Sequence, residues 1–211
     1  QKAAVLYRKQ PRFQLITTGK ISQKKLLFEK QHLERLQKAS RYFAFPFDQE
    51  VLRQKIEKEY QSCDIRQDYR IRISLSKSGE IEIERQVLTP LSSSFCQAKL
   101  CQQEADLEQA FTYFKTTHRP HLTVGEQEII YHTADGKLLE TSIGNLVLKM
   151  DGKLYTPPSQ LGLLPGIYRQ HLLEIGQLEE RVLTIEDLKQ AEVIYGCNAV
   201  RGLYELSVKE D

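Results

Sequence analysis

Apolar positions change their period several times along the chain. Over residues 31–43, Leu33, Leu36, Ala39 and Phe43 recur at three- and four-residue spacing, which predicts an amphipathic helix. Asp48 stands where the cap of a second helix, running to Tyr60, belongs. Period two takes over at residues 69–75 and 80–86, which flank Lys77-Ser78-Gly79 and predict a hairpin. Short strands are expected at residues 13–16 and 25–28. The second half is richer in hairpins: residues 128–132 and 137–140 flank Asp135-Gly136, and residues 146–150 and 153–155 flank Asp151-Gly152. Leu164-Pro165-Gly166 opens a helix to about residue 175. Strands are expected at residues 181–184 and 192–197, and Thr184 with Asp187 resembles a capping box for a short helix between them. Residues 90–109, with Ser92-Ser93-Ser94 and a Glu/Gln-rich stretch, read as a connection, so two lobes are expected, 1–108 and 109–211. Strands mixed with a few helices, without regular βαβ alternation, indicate an α+β fold.

Composition narrows the function classes. Thirty basic against 28 acidic residues leave a net charge of +2, no electrostatic footprint for nucleic acid or an anionic membrane. Hydrophobic residues at 40% and charged residues at 27% fit a globular chain. No apolar run reaches the roughly 18 residues of a membrane span. The apolar stretch near Ala3-Ala4-Val5-Leu6 is too short for a signal peptide. Without an initiator Met, the chain is expected to be a processed or trimmed product or part of a longer one. Four scattered cysteines, Cys63, Cys96, Cys101 and Cys197, suggest reduced thiols and a cytoplasmic protein.

Four features carry possible chemistry. Lys115 ends the aromatic run Phe111-Thr112-Tyr113-Phe114, read as a strand, where partial desolvation would free its amine as a nucleophile; most lysines at strand ends are simply solvated. Glu140 ends an apolar strand and enters Thr141-Ser142-Ile143-Gly144-Asn145, as a turn acid or as the partner of a buried cation. Leu163-Leu164-Pro165-Gly166-Ile167-Tyr168-Arg169 places a glycine before a helix, an ordinary turn or a backbone cradle for phosphate. Arg35 lies off the Leu33/Leu36 stripe, on a solvated face or reaching a phosphate. His118 and His121 make half a metal pair without supporting ligands. No Walker loop, dinucleotide fingerprint or Gly-x-Ser-x-Gly elbow is present.

Taken in order, these residues resemble the class IV pyridoxal-phosphate enzymes, the family of branched-chain and D-amino-acid aminotransferases and aminodeoxychorismate lyases. The resemblance runs from about Phe13 to Gly202. It rests on Arg35-Leu36 with Ser40-Arg41-Tyr42-Phe43, Lys115-Thr116-Thr117-His118-Arg119, Glu140 through Leu146, Tyr155-Thr156-Pro157-Pro158, Leu163 through Ile167, and Asn198-Ala199-Val200-Arg201-Gly202. The likeness is greatest to the lyase part of bifunctional aminodeoxychorismate synthase/lyase proteins. It implies a two-lobed fold, with a small N-terminal α/β lobe, a larger hairpin-rich C-terminal lobe and pyridoxal 5'-phosphate between them.

By resemblance Lys115 is the Schiff-base lysine and the base, and Glu140 the acid at the pyridine nitrogen. Arg35, the backbone of Ile167 and Tyr168, and Asn198 fall on the phosphate side. Arg72 and Arg119 are candidates for a substrate carboxylate, Arg119 equally for an ion pair. The implied activity is conversion of 4-amino-4-deoxychorismate to 4-aminobenzoate and pyruvate, a folate-pathway step. The alternatives are an amino-acid aminotransferase, or a catalytically weakened module fused to or paired with a synthase. A homodimer is implied as well. The sequence departs from the pattern at Thr17, where lyases carry glutamate, and at Pro120-His121-Leu122, where relatives place a tyrosine. The chain is also short for a stand-alone member.

Overall fold

The computed structural model describes residues 12–103 and 110–208. The first half folds around a four-stranded antiparallel sheet of β1 (Leu15–Ser22), β2 (Lys25–Leu26), β3 (Tyr69–Leu75) and β4 (Ile81–Val87), in the order β2-β1-β3-β4. Two helices, α1 (Glu29–Phe43) and α2 (Gln49–Ser62), follow the predicted stripes, and the Asp48 carboxylate accepts from the Glu50 and Val51 N–H groups. Leu33, Leu36, Leu52 and Ile56 pack with Leu15, Ile71, Ile73 and Leu75 in one core. Each such fully buried side chain contributes about 1.5–3 kcal/mol.

The pleat gives this sheet two chemically different faces. Ile71 and Ile73 turn toward the core, while Arg70 and Arg72 point the other way. Thr18 stands opposite Arg72 on the neighbouring strand and shares their face. Thr17 points into the core side, where its hydroxyl meets the His32 Nδ1 at 2.6 Å.

The second half is a larger sheet, with β5 (Gln97–Gln102), β6 (Ile129–His132), β7 (Leu138–Thr141), β8 (Asn145–Met150), β9 (Lys153–Thr156), β10 (Glu179–Glu180), β11 (Val193–Asn198) and β12 (Gly202–Val208). Its order is β10-β9-β8-β11-β12-β5-β6-β7, and an added β7–β8 pairing closes six of these strands into a ring. Closure removes the exposed edges an open sheet would leave. Leu146, Leu148, Ile130, Leu138 and Leu206 form a second core. Helix α3 (Ala110–Tyr113), between β5 and β6, packs Phe111 on Phe13 and Phe43 of the first half, α4 (Ile167–Glu174) lies against the barrel, and α5 (Ile185–Gln190) carries the expected Thr184/Asp187 capping box. No helix among the described residues is long and apolar enough to cross a membrane.

Several expectations are corrected. The first strand runs from Leu15 to Ser22 instead of ending at Ile16, and the second is only Lys25–Leu26. Gln23 and Lys24 make the tight turn between them with φ of 48° and 59°, without the glycine or asparagine that normally marks such a turn. The aromatic run before Lys115 is a helical turn, α3, followed by a bridge from Thr116 to Leu15. Residues 90–109 are not only a connection, because they contain β5, paired in parallel with β6 and β12. The strand expected at 181–184 is displaced to Glu179–Glu180.

Candidate active site

Lys115 is fixed by the strand it abuts. The Ile16 N–H donates to its carbonyl at 3.0 Å, and Thr117 N–H donates to Gln14 O at 3.0 Å. Phe111 and Phe114 dock the preceding turn onto Phe13 and Phe43, with ring centroids 4.9 and 5.4 Å apart. The lysine therefore enters the space between the halves from a rigid base. There it meets Arg35, Arg119, Glu140 and Arg70. Burial, then the Arg35, Arg119 and Arg70 charges, lower its pKa to about 7 against the opposing pull of Glu140.

Glu140 lies on β7, 4% exposed. The Arg119 Nη2 donates to its Oε1 at 3.0 Å. Burial raises its pKa, opposed by Arg119, by the Leu164 backbone and by Lys115. Arg119 also lies 3.5 Å from the His121 Nε2, and burial with the Arg119 charge lowers the His121 pKa to about 4, so the ring is a neutral acceptor. The guanidinium of Arg119 is thus engaged by the acid it holds, the ion-pair role rather than an open carboxylate receptor.

The turn from β7 to β8 is tight, with Glu140 opposite Asn145. Beneath it the fully buried Glu128 carboxylate accepts from the Ser142 hydroxyl, from Ile143 N–H at 3.2 Å and from the Tyr204 hydroxyl at 3.0 Å. Gly196 is required by that tyrosine, since a Cβ there would lie 2.3 Å from its ring. Asn145 then reaches the phosphate-type turn: its Nδ2 donates to Leu164 O at 2.7 Å and its Oδ1 accepts from Gly166 N–H at 3.1 Å. A Cβ on Gly166 would sit 2.1 Å from that oxygen, so only glycine fits. This turn leads into α4, whose first N–H groups, those of Ile167 and Tyr168, have no acceptor within the helix. Arg35 closes the same end, its Nη2 donating to Pro165 O at 2.7 Å.

These groups surround a cavity of about 550 Å³ lined by Arg35, Lys115, Arg119, Glu140, Ile167 and Asn198, with Thr18, Arg70, Arg72 and Arg201 on its remaining walls. A second cavity of about 690 Å³ adjoins it across Arg35, Lys115 and Ile167 and is lined by Tyr42, Tyr113, Phe114 and His171. Glu140 and the sheet arginines do not reach that second space, so the convergent chemistry belongs to the first.

Of the residues singled out from sequence, Arg35, Arg72, Lys115, Arg119, Glu140, Ile167 and Asn198 all meet at this cavity. The Tyr168 side chain does not; it packs on Phe28 and His171, and only its N–H faces the turn. The Asn198 amide is spent internally, its Oδ1 accepting from Val200 and Arg201 N–H and its Nδ2 donating to Ile143 O. Thr17 lies outside the cavity, so that departure changes no lining side chain; Thr18 is the residue that faces in. No tyrosine among the described residues lines it. Sequence reasoning missed Arg70, Arg201, Asn145 and Glu128. The two-residue alternation of β3 was enough to put Arg70 beside Arg72, but nothing local marked the others.

The site suits pyridoxal phosphate. An amine whose pKa is lowered to about 7, a buried acid with a raised pKa, an arginine and a glycine-shaped helix entry are the donor set that its aldehyde, ring nitrogen and phosphate require. The model for amino-transferase class IV matches residues 14–207. The aminodeoxychorismate lyase of Saccharomyces cerevisiae is 27% identical over 205 residues, covering 72% of this chain and 55% of the yeast protein, so the chain spans about half the length of that relative. A Mesorhizobium loti structure provisionally named an amino-acid aminotransferase superposes with a TM-score of 0.81 at 26% identity, covering 93% of this chain and all of the other. A Haemophilus somnus structure provisionally named a 4-amino-4-deoxychorismate lyase gives 0.71 at 25%, covering 92% and 100%. With its match spanning nearly every described residue, the chain belongs to the class IV aminotransferase family, whose cofactor is pyridoxal phosphate.

Proposed function

We propose that this chain is a pyridoxal-phosphate-dependent lyase that releases pyruvate from 4-amino-4-deoxychorismate to give 4-aminobenzoate. The observation that carries the reading is a lysine with a pKa of about 7, set between a buried acid and a cavity wall rich in arginine. When bound, the cofactor supplies an aldehyde that bonds to an amine and a ring that withdraws electrons.

The chain's own residues do the rest. Arg35 and the N–H groups of Ile167 and Tyr168 would hold the phosphate, and the Asn198-braced turn closes that wall. Glu140, kept in place by Arg119, would hold a proton at the ring nitrogen. The Lys115 amine would bond the cofactor aldehyde and, when free and neutral, its Nζ would take the proton from the amine-bearing carbon of the substrate. Arg72, on the opposite wall, would receive a substrate carboxylate.

The similarity to the M. loti structure favours a second reading, transamination, with the same residues in the same roles. Adding pyridoxal phosphate, recording the near-visible spectrum and reducing with borohydride before peptide mapping tests the shared part. An adduct confined to Lys115 is expected, and label scattered over surface lysines would refute it. Pyruvate and 4-aminobenzoate formed in equal amounts would then favour lyase. Pyridoxamine phosphate formed from an amino acid, without pyruvate, would favour transaminase. A homodimer and a fused or associated synthase belong to the same proposal, tested by light scattering of the whole protein.

A further inference from the structure

The cations around the cavity outnumber what a phosphate and one carboxylate need. Arg35 is taken by the phosphate turn and Arg119 by Glu140. That leaves Arg70 and Arg72 on the small sheet and Arg201 on the turn after β11, all half-buried and all lining the cavity. Among the described residues, none of the three has a carboxylate within ion-pair distance. Glu84, cross-strand from Arg72, exerts a pull on Arg70 without closing a contact.

Their placement is specific. Arg70 and Arg201 come from opposite walls, one from β3 and the other from the barrel. Arg201 is held from both sides: its N–H donates to Asn198 Oδ1 at 2.9 Å and its Nη1 donates to Thr89 O. The guanidinium is therefore presented, not left to wander. Arg70 lines the cavity with Lys115 and Arg201, and its charge lowers the pKa of both. Like charges lining one partly dehydrated cavity repel, and a bound anion relieves that repulsion. Leu91, Val124, Val200 and Ile143 add apolar surface to the same cavity.

We propose that Arg70 and Arg201 clamp a second carboxylate of the substrate between the two lobes, making this site selective for a cyclic amine with two carboxylates over a monocarboxylic amino acid. Arg72 receives the other carboxylate, and the Leu91, Val124 and Val200 surface takes the ring. The assignment rests on the lyase reading; a branched-chain amino acid offers the clamp nothing to hold, whereas a dicarboxylic amino acid would occupy it.

Calorimetric titration of the protein loaded with pyridoxal phosphate, using benzene-1,3-dicarboxylate and benzoate as probes, tests the clamp without turnover. The dicarboxylate should bind at least about tenfold more tightly than benzoate, the value of one charge-assisted hydrogen-bonded pair. Arg201→Gln and Arg70→Gln should each remove that preference while leaving benzoate binding, which needs only Arg72, in place in variants that still take up pyridoxal phosphate. Arg70→Lys, which keeps the charge but loses the fork, should restore part of it. Equal loss for both probes, or a preference untouched by either substitution, would overturn the clamp. If the wild-type protein takes up no cofactor, the lyase reading fails separately, and titration of the cofactor-free protein still decides the clamp.

Discussion

Glu140→Gln is expected to destabilise the protein by more than the loss of a hydrogen bond. Arg119 and Glu140 are 3.0 Å apart with side-chain exposures of 15% and 5%, and the Arg119 Nε has no partner among the described residues. At an effective dielectric constant of about 20, two unit charges at that distance attract by about 5 kcal/mol. Desolvation of the pair offsets part of this, and the amide keeps one acceptor, which leaves a net loss of about 3 kcal/mol. The melting temperature should fall by about 6–12 °C for a chain of this size. The cause would be a stranded cation, so adding Arg119→Gln should recover about half of the loss rather than deepen it. Thermal and urea denaturation of the wild type, both single variants and the double variant complete the cycle. The same four proteins report on Lys115. Because Glu140 raises and Arg119 lowers its pKa, the pH midpoint of its reductive methylation should move below 7 in Glu140→Gln and above 7 in Arg119→Gln. Additive stabilities within about 0.5 kcal/mol, or a fixed midpoint, would refute the pairing as the organiser of the site.

Lys115→Met should stabilise the cofactor-free protein below pH 7. The folded pKa of about 7 lies under the ordinary 10.5, so the cost of the charged amine is fully present below pH 7 and fades as pH rises to 10.5; urea denaturation at pH 6 and pH 10 measures the difference, and an equal gain at both would sink the idea. Asn145→Ala strands the Leu164 carbonyl and the Gly166 N–H, costing about 1–3 kcal/mol, and should weaken pyridoxal phosphate about tenfold while leaving pyridoxal unchanged. Absorbance titration with both compounds would show it, and equal weakening would contradict it. Gly196→Ala forces a Cβ to within 2.3 Å of the Tyr204 ring, so a melting-temperature loss of about 2–12 °C is expected, and an unchanged melting curve would disprove the packing.

The sequence by itself determined the elements whose partners lie close by. Leu33, Leu36 and Ala39 fixed the buried face of α1, the Asp-Gly pairs fixed two hairpins, and Asp48 and Thr184 fixed two helix starts, because periodicity, turn chemistry and capping act within a few residues. Lys115, Glu140, Arg35 and the Gly166 turn were also legible, each as a residue type in a suggestive place. The structure decided what those residues meet. β5 has one buried apolar residue, Ala98, and exists because β6 and β12 flank it. The turn into β12 is made by the Asn198 side chain instead of a glycine pair, so no local signal announced that strand. Glu128 supports the Glu140 turn and Asn145 reaches Gly166 only because the tertiary fold brings together segments far apart in the chain. The pKa of Lys115 is the clearest case: a lone lysine titrates near 10.5, and only burial among three arginines and one acid takes it to about 7.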